Sequence, residues 1–493
     1  MGRAGSEAAH TGDQQSAYRT GRLRGRATEV GHRLRDRLDE MVPVSRLWLI
    51  FPAVVLQAIA GPIHWRITDD IQTAAVTNVI LRTASFLLLF LVAVPRLDAA
   101  LRSRARWLPS FCALFAIGLC VAALASWPFI APRCAKYQQY DNDAIALAHY
   151  ASDRLLAGEN PYVGGNVMEA LERYRMTGVQ TTPLKEGVFS HLSLHPTGPQ
   201  MRVAYELARL EPKESPPEFE SRLSYPAGSF LFHTPLIALG WNDLRLFYLL
   251  TQIALVAIAW RASPPKLRPL LLVLAFADVE LWTNATSGRL DSLWAIFLLA
   301  AWVWRDRFWP SAVCMGMAIA TKQTVWFYAP FYFILVYQTS GWRDMLARLR
   351  IVALAFLTLN LPFILDAPAS WAHGVLVPLV DPMFPRGDGL ISISIAGVLP
   401  LWPSYVYTAL ELTALGLAGL WYWRYGARNY PNSALLLATV PLFVGWRSLA
   451  SYFYLTPLLL FAAVLSSLRE QPMPEAEPER VPRRLITRPS MAA

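Results

Sequence analysis

Two carboxylates one residue apart, Asp141 and Asp143, follow a long apolar run and sit in the polar stretch Tyr137-Gln-Gln-Tyr-Asp-Asn-Asp. A carboxylate in that setting can serve as a general base, because half-burial at a membrane surface tunes its pKa and brings it within reach of a substrate proton. The pair could equally open a solvated loop with a helix N-cap, a position that Asp favours. Its Asp-x-Asp form leaves a divalent metal open as an alternative, although a hard cation wants more oxygen ligands than two neighbouring carboxylates supply. Three cations, Arg289, Lys322 and Arg447, stand at the ends of apolar runs. The planar fork of Arg447, set between Trp446 and Tyr452, can hold a phosphate through paired hydrogen bonds. The competing reading for all three is snorkelling to lipid headgroups. His191 and His195 could share a helix face as metal ligands, yet Pro196 and Gly198 follow at once and no third ligand is in view.

The elements that must hold these residues are membrane helices. The chain of 493 residues is 54% hydrophobic and only 16% charged, whereas soluble chains run nearer about a quarter charged. Apolar runs recur at 44–63, 75–95, 108–129, 244–260, 267–282, 290–304, 309–321, 325–337, 351–365, 402–423, 433–444 and 453–468. They predict an all-α membrane protein of about twelve transmembrane helices, spanning 44–468. The net charge of +10 reads as the positive-inside bias rather than as a nucleic-acid surface, since the basic residues cluster between apolar runs. With the N-terminus cytoplasmic, all these clusters fall on one face only if Tyr225 to Gly240 does not cross. That segment, with Pro226, Gly228 and Pro235, is accordingly read as interfacial or re-entrant. Residues 1–43, with eight Arg against six acids, read as a disordered cytoplasmic arm, and 469–493 as a disordered cytoplasmic tail. Cys112, Cys120, Cys134 and Cys314 give no framework of paired disulfides.

This topology leaves one large extracytoplasmic loop, 128–242, carrying short helices, and a second at 366–401. In the first, Ile145, Ala148, Tyr150, Leu155 and Leu156 recur at helical spacing, and Gly158 supplies a stop before Asn160-Pro161-Tyr162. The stretch from Asp143 to Tyr162, read as Asp-x(6)-Tyr-Ala-x(3)-Leu-Leu-x-Gly-x-Asn-Pro-Tyr, resembles the first outer loop of the C-fold (GT-C) membrane glycosyltransferases. The likeness is to polyprenyl-phosphate-dependent mannosyltransferases of the glycosyltransferase family 87 type. Three later stretches resemble that family in the same order. Ser224-Tyr225-Pro226-Ala227-Gly228 is similar to its Tyr-Pro-Pro-Leu segment, with Ala227 replacing the second proline. Thr283 to Asp291 falls at its Gly-Gln-x-Asn/Asp element, with Arg289 in place of glutamine. Ala320-Thr321-Lys322-Gln323 resembles its lysine-containing element.

The resemblance implies a catalytic base at Asp143, with Asp141 the runner-up. It also implies substrate contacts at Tyr162, Tyr225, Arg289, Asp291, Lys322 and Gln323; beyond the stretch it covers, Asp141 to Pro330, Arg447 and Tyr452 are candidate contacts from their place at the outer turn between the last two apolar runs. The implied reaction transfers a sugar, mannose most simply, from a polyprenyl-phosphate donor to a lipid or glycan acceptor, with inversion and with no cofactor required. Polyprenyl phosphate is a good leaving group, so a base for the acceptor and cations for the phosphate suffice. The loop 366–390, rich in turns and bearing His373, Asp381, Arg386 and Asp388, reads either as a cover or acceptor site or as a plain connector. A multi-span transporter or lipid flippase is the alternative, its best support being Asn78 and Arg82 inside the second apolar run.

Overall fold

A computed structural model describes residues 45–61, 70–105, 107–135, 140–210 and 216–470. The expected arm, 1–43, and all but the first two residues of the expected tail lie outside these residues, as do Cys134's side chain and the end of the first apolar run. Among the described residues the structure is helical, apart from one parallel pair of two-residue strands.

The helices that frame the site are, in chain order, α1 (Ile50–Ala60), α2 (Ile71–Val92), α3 (Leu108–Ala135), α4 (Asp143–Leu156), α5 (Leu244–Ala262), α6 (Asp291–Val303), α7 (Phe308–Ile319), α8 (Ala329–Asp366), α9 (Ser404–Trp421) and α10 (Thr456–Glu470). Five segments, Ile71–Val92, Leu108–Ile130, Leu244–Ala262, Gln323–Asp366 and Ala450–Arg469, are long and apolar enough to cross a membrane. That is the mark of a membrane protein. The other apolar helices are shorter. At 13 residues, α6 is about 20 Å long, less than the ~30 Å hydrocarbon core.

Several apolar runs are interrupted for local reasons. The run 267–282 breaks at Asp278 into helices Arg268–Ala277 and Val279–Thr286. The runs 325–337 and 351–365 fall in one continuous stretch, α8, broken at Gly341, whose φ of 85° and ψ of 174° no helical residue adopts. Glycine alone takes that conformation cheaply. The segment 225–240 is divided into helices Gly228–Leu231 and Thr234–Ala238, each too short to cross.

Two apolar cores result. The larger joins α1, α2, α3, α5, α6, α7, α8 and α10 around residues such as Phe51, Trp294, Trp302, Phe331 and Phe461. The smaller belongs to the long polar loop, where Ile145, Leu147, Leu171, Phe189 and Phe219 pack together and reach Leu244, Tyr248 and Leu293 of the helices beneath. Tyr140 fastens the loop to α5: its hydroxyl accepts from the Leu244 amide at 3.1 Å and bonds His149 Nδ1 at 2.9 Å. The loop is therefore a folded unit seated on the helices.

Candidate functional site

Helix α4 carries the first candidate residue. Its N-cap is Asn142, whose side chain accepts from the Ile145 amide at 3.1 Å. Asp143 is thereby freed from capping and stands in the first helical position, where the dipole favours an anion. The expected stop also forms: Gly158, at φ 82°, bonds Leu155 O at 3.0 Å while the Glu159 amide bonds Arg154 O at 2.9 Å, the paired carbonyl closure of a Schellman end. Asn160 then turns the chain, accepting from the Tyr162 amide at 3.0 Å and donating to Asp366 at the end of α8 at 2.8 Å. The Tyr162 hydroxyl donates to Tyr225 O at 2.8 Å.

The other stretches singled out in the sequence close around this helix. The Gly228 amide donates to Ala320 O at 2.8 Å, and a Cβ on Gly228 would come within 2.6 Å of that oxygen, so glycine is what permits the approach. Gln323 Nε2 donates to Ser224 O at 2.6 Å and Val375 O at 2.7 Å, tying three segments together. Gly288, at φ 79°, lies so close to Ile145 that a Cβ there would overlap its side chain.

The cavity between these segments has a volume of about 260 Å³. Asp143, Tyr225, Lys322, Gln323, Arg447 and Tyr452 all line it. Leu147, Val375, Leu376, Leu379 and Leu442 supply apolar lining. Asp143 is half-buried and hydrogen-bonded to Thr182. Burial pushes its carboxyl up, against the pull of the Thr182 bond and the Arg447 guanidinium. Among the described residues, neither Arg447 nor Asp143 has an ion-pair partner. Tyr225 is kept a neutral phenol, its pKa raised first by burial and then by the charges of Asp143 and Asp291.

Lys322 is held differently. Its Nζ lies 2.5 Å from Asp291 Oδ1, with both side chains buried, and its ammonium sits 5.6 Å from the Tyr225 ring centroid and 6.0 Å from that of Tyr452. Asp291 lies beneath the cavity and not on its lining; besides Lys322 it accepts from Trp294 Nε1 at 2.9 Å. Arg289 is half-buried off the lining, within electrostatic reach of Tyr225. Asp141 is exposed and outside the lining, so the two carboxylates of the Asp-x-Asp stretch do not share this cavity. Tyr162 lines a second cavity of about 790 Å³.

Arg447 is placed by β pairing. Strand β1 (Arg386–Gly387) runs parallel to β2 (Arg447–Ser448), in register Arg386 to Arg447. Gly387, at φ 142°, lies against the Ser448 backbone where a Cβ would overlap it. The next residue, Asp388, bonds Arg82 Nη2 at 2.7 Å, and Arg82 Nε donates to Asn78 Oδ1 at 3.0 Å. Arg82 thus anchors β1, the strand against which Arg447 of β2 is aligned. His195 Nε2 takes a hydrogen bond from Arg386 at 3.1 Å. Burial and the neighbouring Arg386 charge lower its pKa to about 4, so it is a neutral acceptor here.

Sequence reasoning passed over Thr182, Glu220 and Glu411 on the lining. Glu411 had a readable signal, a single acid within the run 402–423, where an intramembrane carboxylate is expensive. Thr182 and Glu220 are ordinary polar residues of a loop, distant from Asp143 in the chain, and only tertiary structure brings them near. No protein-family model, no curated protein and no solved structure matches this chain.

Proposed function

We propose that this chain is a membrane glycosyltransferase of the GT-C kind, with about twelve passes, cytoplasmic termini and an extracytoplasmic site. It transfers a sugar, mannose most simply, from a polyprenyl-phosphate donor to a lipid or glycan acceptor with inversion. The observation that carries this reading is the convergence, in one cavity, of a half-buried carboxylate and an arginine, neither with an ion-pair partner among the described residues, and an apolar lining. Those are the three requirements of the chemistry: a base, a phosphate-binding cation and a surface for a lipid chain.

The acceptor hydroxyl gives its proton to Asp143 as its oxygen bonds to the anomeric carbon. The bond from that carbon to the phosphate oxygen breaks, and the electron pair leaves on the polyprenyl phosphate. Arg447 and Lys322 offset the charge that develops there, in a site where burial makes each interaction count for more than it would in water. Thr182, bonded to the Asp143 carboxyl, orients the base.

A transporter would require polar groups along a path through the helices. Arg82, which with Asn78 raised that alternative, is paired with Asp388 and bonded to Asn78 Oδ1, and neither residue lines either cavity, which favours the enzyme reading. The test is transfer from radiolabelled polyprenyl-phosphate mannose to a panel of lipid and glycan acceptors by purified protein. Transfer by the wild type and its loss in Asp143→Asn is the expected result; full transfer by a folded Asp143→Asn protein refutes the assigned base.

A further inference from the structure

The two cavities share a wall. It is built from residues 219–225 and from the end of the helix Pro368–Val380 with the turn that follows it. Ser224, Tyr225, Leu379 and Met383 line the first cavity; Ser221, Arg222, Val380 and Asp381 line the second. Glu220 borders both. Backbone bonds hold one edge of the wall, with the Lys185 amide donating to Pro382 O at 2.8 Å and the Glu220 amide to Thr182 O at 2.9 Å. Where 220–222 meets the end of the helix, side chains make the contact: Glu220 is bonded to Asp381, and Arg222 Nη1 lies 2.8 Å from His373 Nε2.

Two carboxylates have no hydrogen to share, so the bond between Glu220 and Asp381 needs one of them protonated. No other donor serves there. Among the described residues the buried Glu220 Oε2 and Asp381 Oδ2 receive no N–H hydrogen bond, and Arg222 Nη1 stands 3.5 Å from Asp381 Oδ2. Burial, then the bond to Asp381, raise the Glu220 carboxyl to about 8, so the proton is held at neutral pH. The charged groups around the pair are Arg222 on Glu220's own segment and His373, whose Nε2 bonds Asp381 Oδ1 at 2.8 Å. Lys185, on the third segment packed there, is turned to the Phe384 and Trp446 rings. Glu186 lines the second cavity, and Asp143, Lys322, Glu411 and Arg447 line the first. Of all these, Asp381 and Arg222 are the charges that act on Glu220.

We infer that Glu220 and Asp381 form a proton-operated clasp that closes the wall between the two cavities. With the proton in place the two segments are bonded; when it leaves to solvent, two facing carboxylates repel and part. Arg222, half exposed and shared with His373, carries one positive charge against two negative ones. Parting joins the cavity that holds Asp143 and Arg447 to one that reaches solvent at Arg222 and His373, whose side chains are 48% and 41% exposed. The clasp follows from the construction of the wall and stands whether or not the chain transfers a sugar.

The test is hydrogen–deuterium exchange of the full-length protein in detergent between about pH 6 and about pH 8, each amide's rate being divided by its intrinsic rate at that pH. The reporters are the Lys185 and Glu220 amides at the edge of the wall and the Arg222 amide, which donates to Glu220 Oε1 at 2.7 Å. The closed pair keeps its proton up to about 8, and an opened one releases it near the ordinary 4.5. Corrected exchange at these amides should therefore rise about tenfold or more across that range. In Glu220→Gln, which stays neutral and can donate its amide to Asp381, the corrected rates should be flat, and Asp381→Asn should flatten them by the same route. Glu220→Ala, with nothing to clasp, should exchange fast at both ends of the range. A flat wild-type profile overturns the inference. So does a rise that persists in Glu220→Gln, which would belong to His373, and so does a rise shared equally by the amides of α5 and α6, which would mark general loosening.

Discussion

Replacing Asp291 by asparagine should destabilise the protein through Lys322. Lys322 is 7% exposed and its ion-pair partner is Asp291, at 2.5 Å. Asparagine is nearly isosteric and can still accept the Trp294 Nε1 bond, so the substitution removes chiefly the negative charge. Breaking a buried pair from one side costs about 3–5 kcal/mol, because the remaining charge stays desolvated without compensation. The double substitution Asp291→Asn, Lys322→Met removes both charges, and methionine fills much of the lysine's volume between the Tyr225 and Tyr452 rings. It should regain most of the loss, since apolar replacement of a buried pair is neutral or stabilising by about 1–4 kcal/mol. The assay is a double-mutant cycle on thermal unfolding in detergent, followed by the loss of the monodisperse size-exclusion peak. Asp291→Asn melting with the wild type, or the double variant melting no higher than Asp291→Asn alone, would refute the claim that Asp291 neutralises Lys322 in the resting protein.

Three further outcomes follow from the same geometry. Because burial raises the Asp143 carboxyl, and only its ionised form can take a proton, kcat/KM should fall as pH drops through a value above the ordinary 3.8. Asp143→Asn should lower kcat by about 10²–10⁴ and abolish that acidic limb. Arg82→Leu should raise the donor KM, because Asp388 loses its anchor and β1 no longer fixes Arg447; a charge-assisted hydrogen bond of this kind is worth about 1.5–3 kcal/mol. An unchanged donor KM in a folded Arg82→Leu protein would show that Arg447 needs no such support. Glu220 binds its proton more tightly when folded, about 8 against an ordinary 4.5, so the stability it contributes is full below 4.5 and is lost as pH rises toward 8. Unfolding measured across that window should show a decline in wild type that Glu220→Gln flattens.

What the sequence revealed, and what it hid, follows from the range of the forces involved. The helix from Asp143 was legible because Ile145, Ala148 and Tyr150 repeat with helical period and Gly158 marks its end; each of these is a local signal. The lack of a long helix in 225–240 was legible from its prolines and glycine. The pairing of β1 with β2 was not, because two-residue strands have no periodicity and their register depends on Gly387 meeting Ser448 from a distant part of the chain. Nor was the fate of Arg82. An arginine in an apolar run announces a partner, but its type and spacing do not say that the partner is Asp388, and so the same residue supported a transporter when read alone.

The cations at the cavity show how structure divides a role that sequence assigns evenly. Arg289, Lys322 and Arg447 all stand at the ends of apolar runs and each could have met a phosphate. Lys322 has a carboxylate 2.5 Å away, so a phosphate approaching it meets an ion pair whose net charge is near zero. Attraction at long range must come from elsewhere. Arg447 is half-buried on the lining with no ion-pair partner among the described residues, and its positive neighbour Arg386 lies in register beside it. A free guanidinium in such a setting has much to gain from an anion, and its fork suits two phosphate oxygens. Under the proposed function, Arg447 is therefore the residue expected to select and orient the phosphate. In the proposed reaction Lys322 would contribute most when charge accumulates on the leaving oxygen and the ammonium can turn from Asp291 toward it, an interaction stronger in the transition state than in the ground state and so one that would accelerate the step.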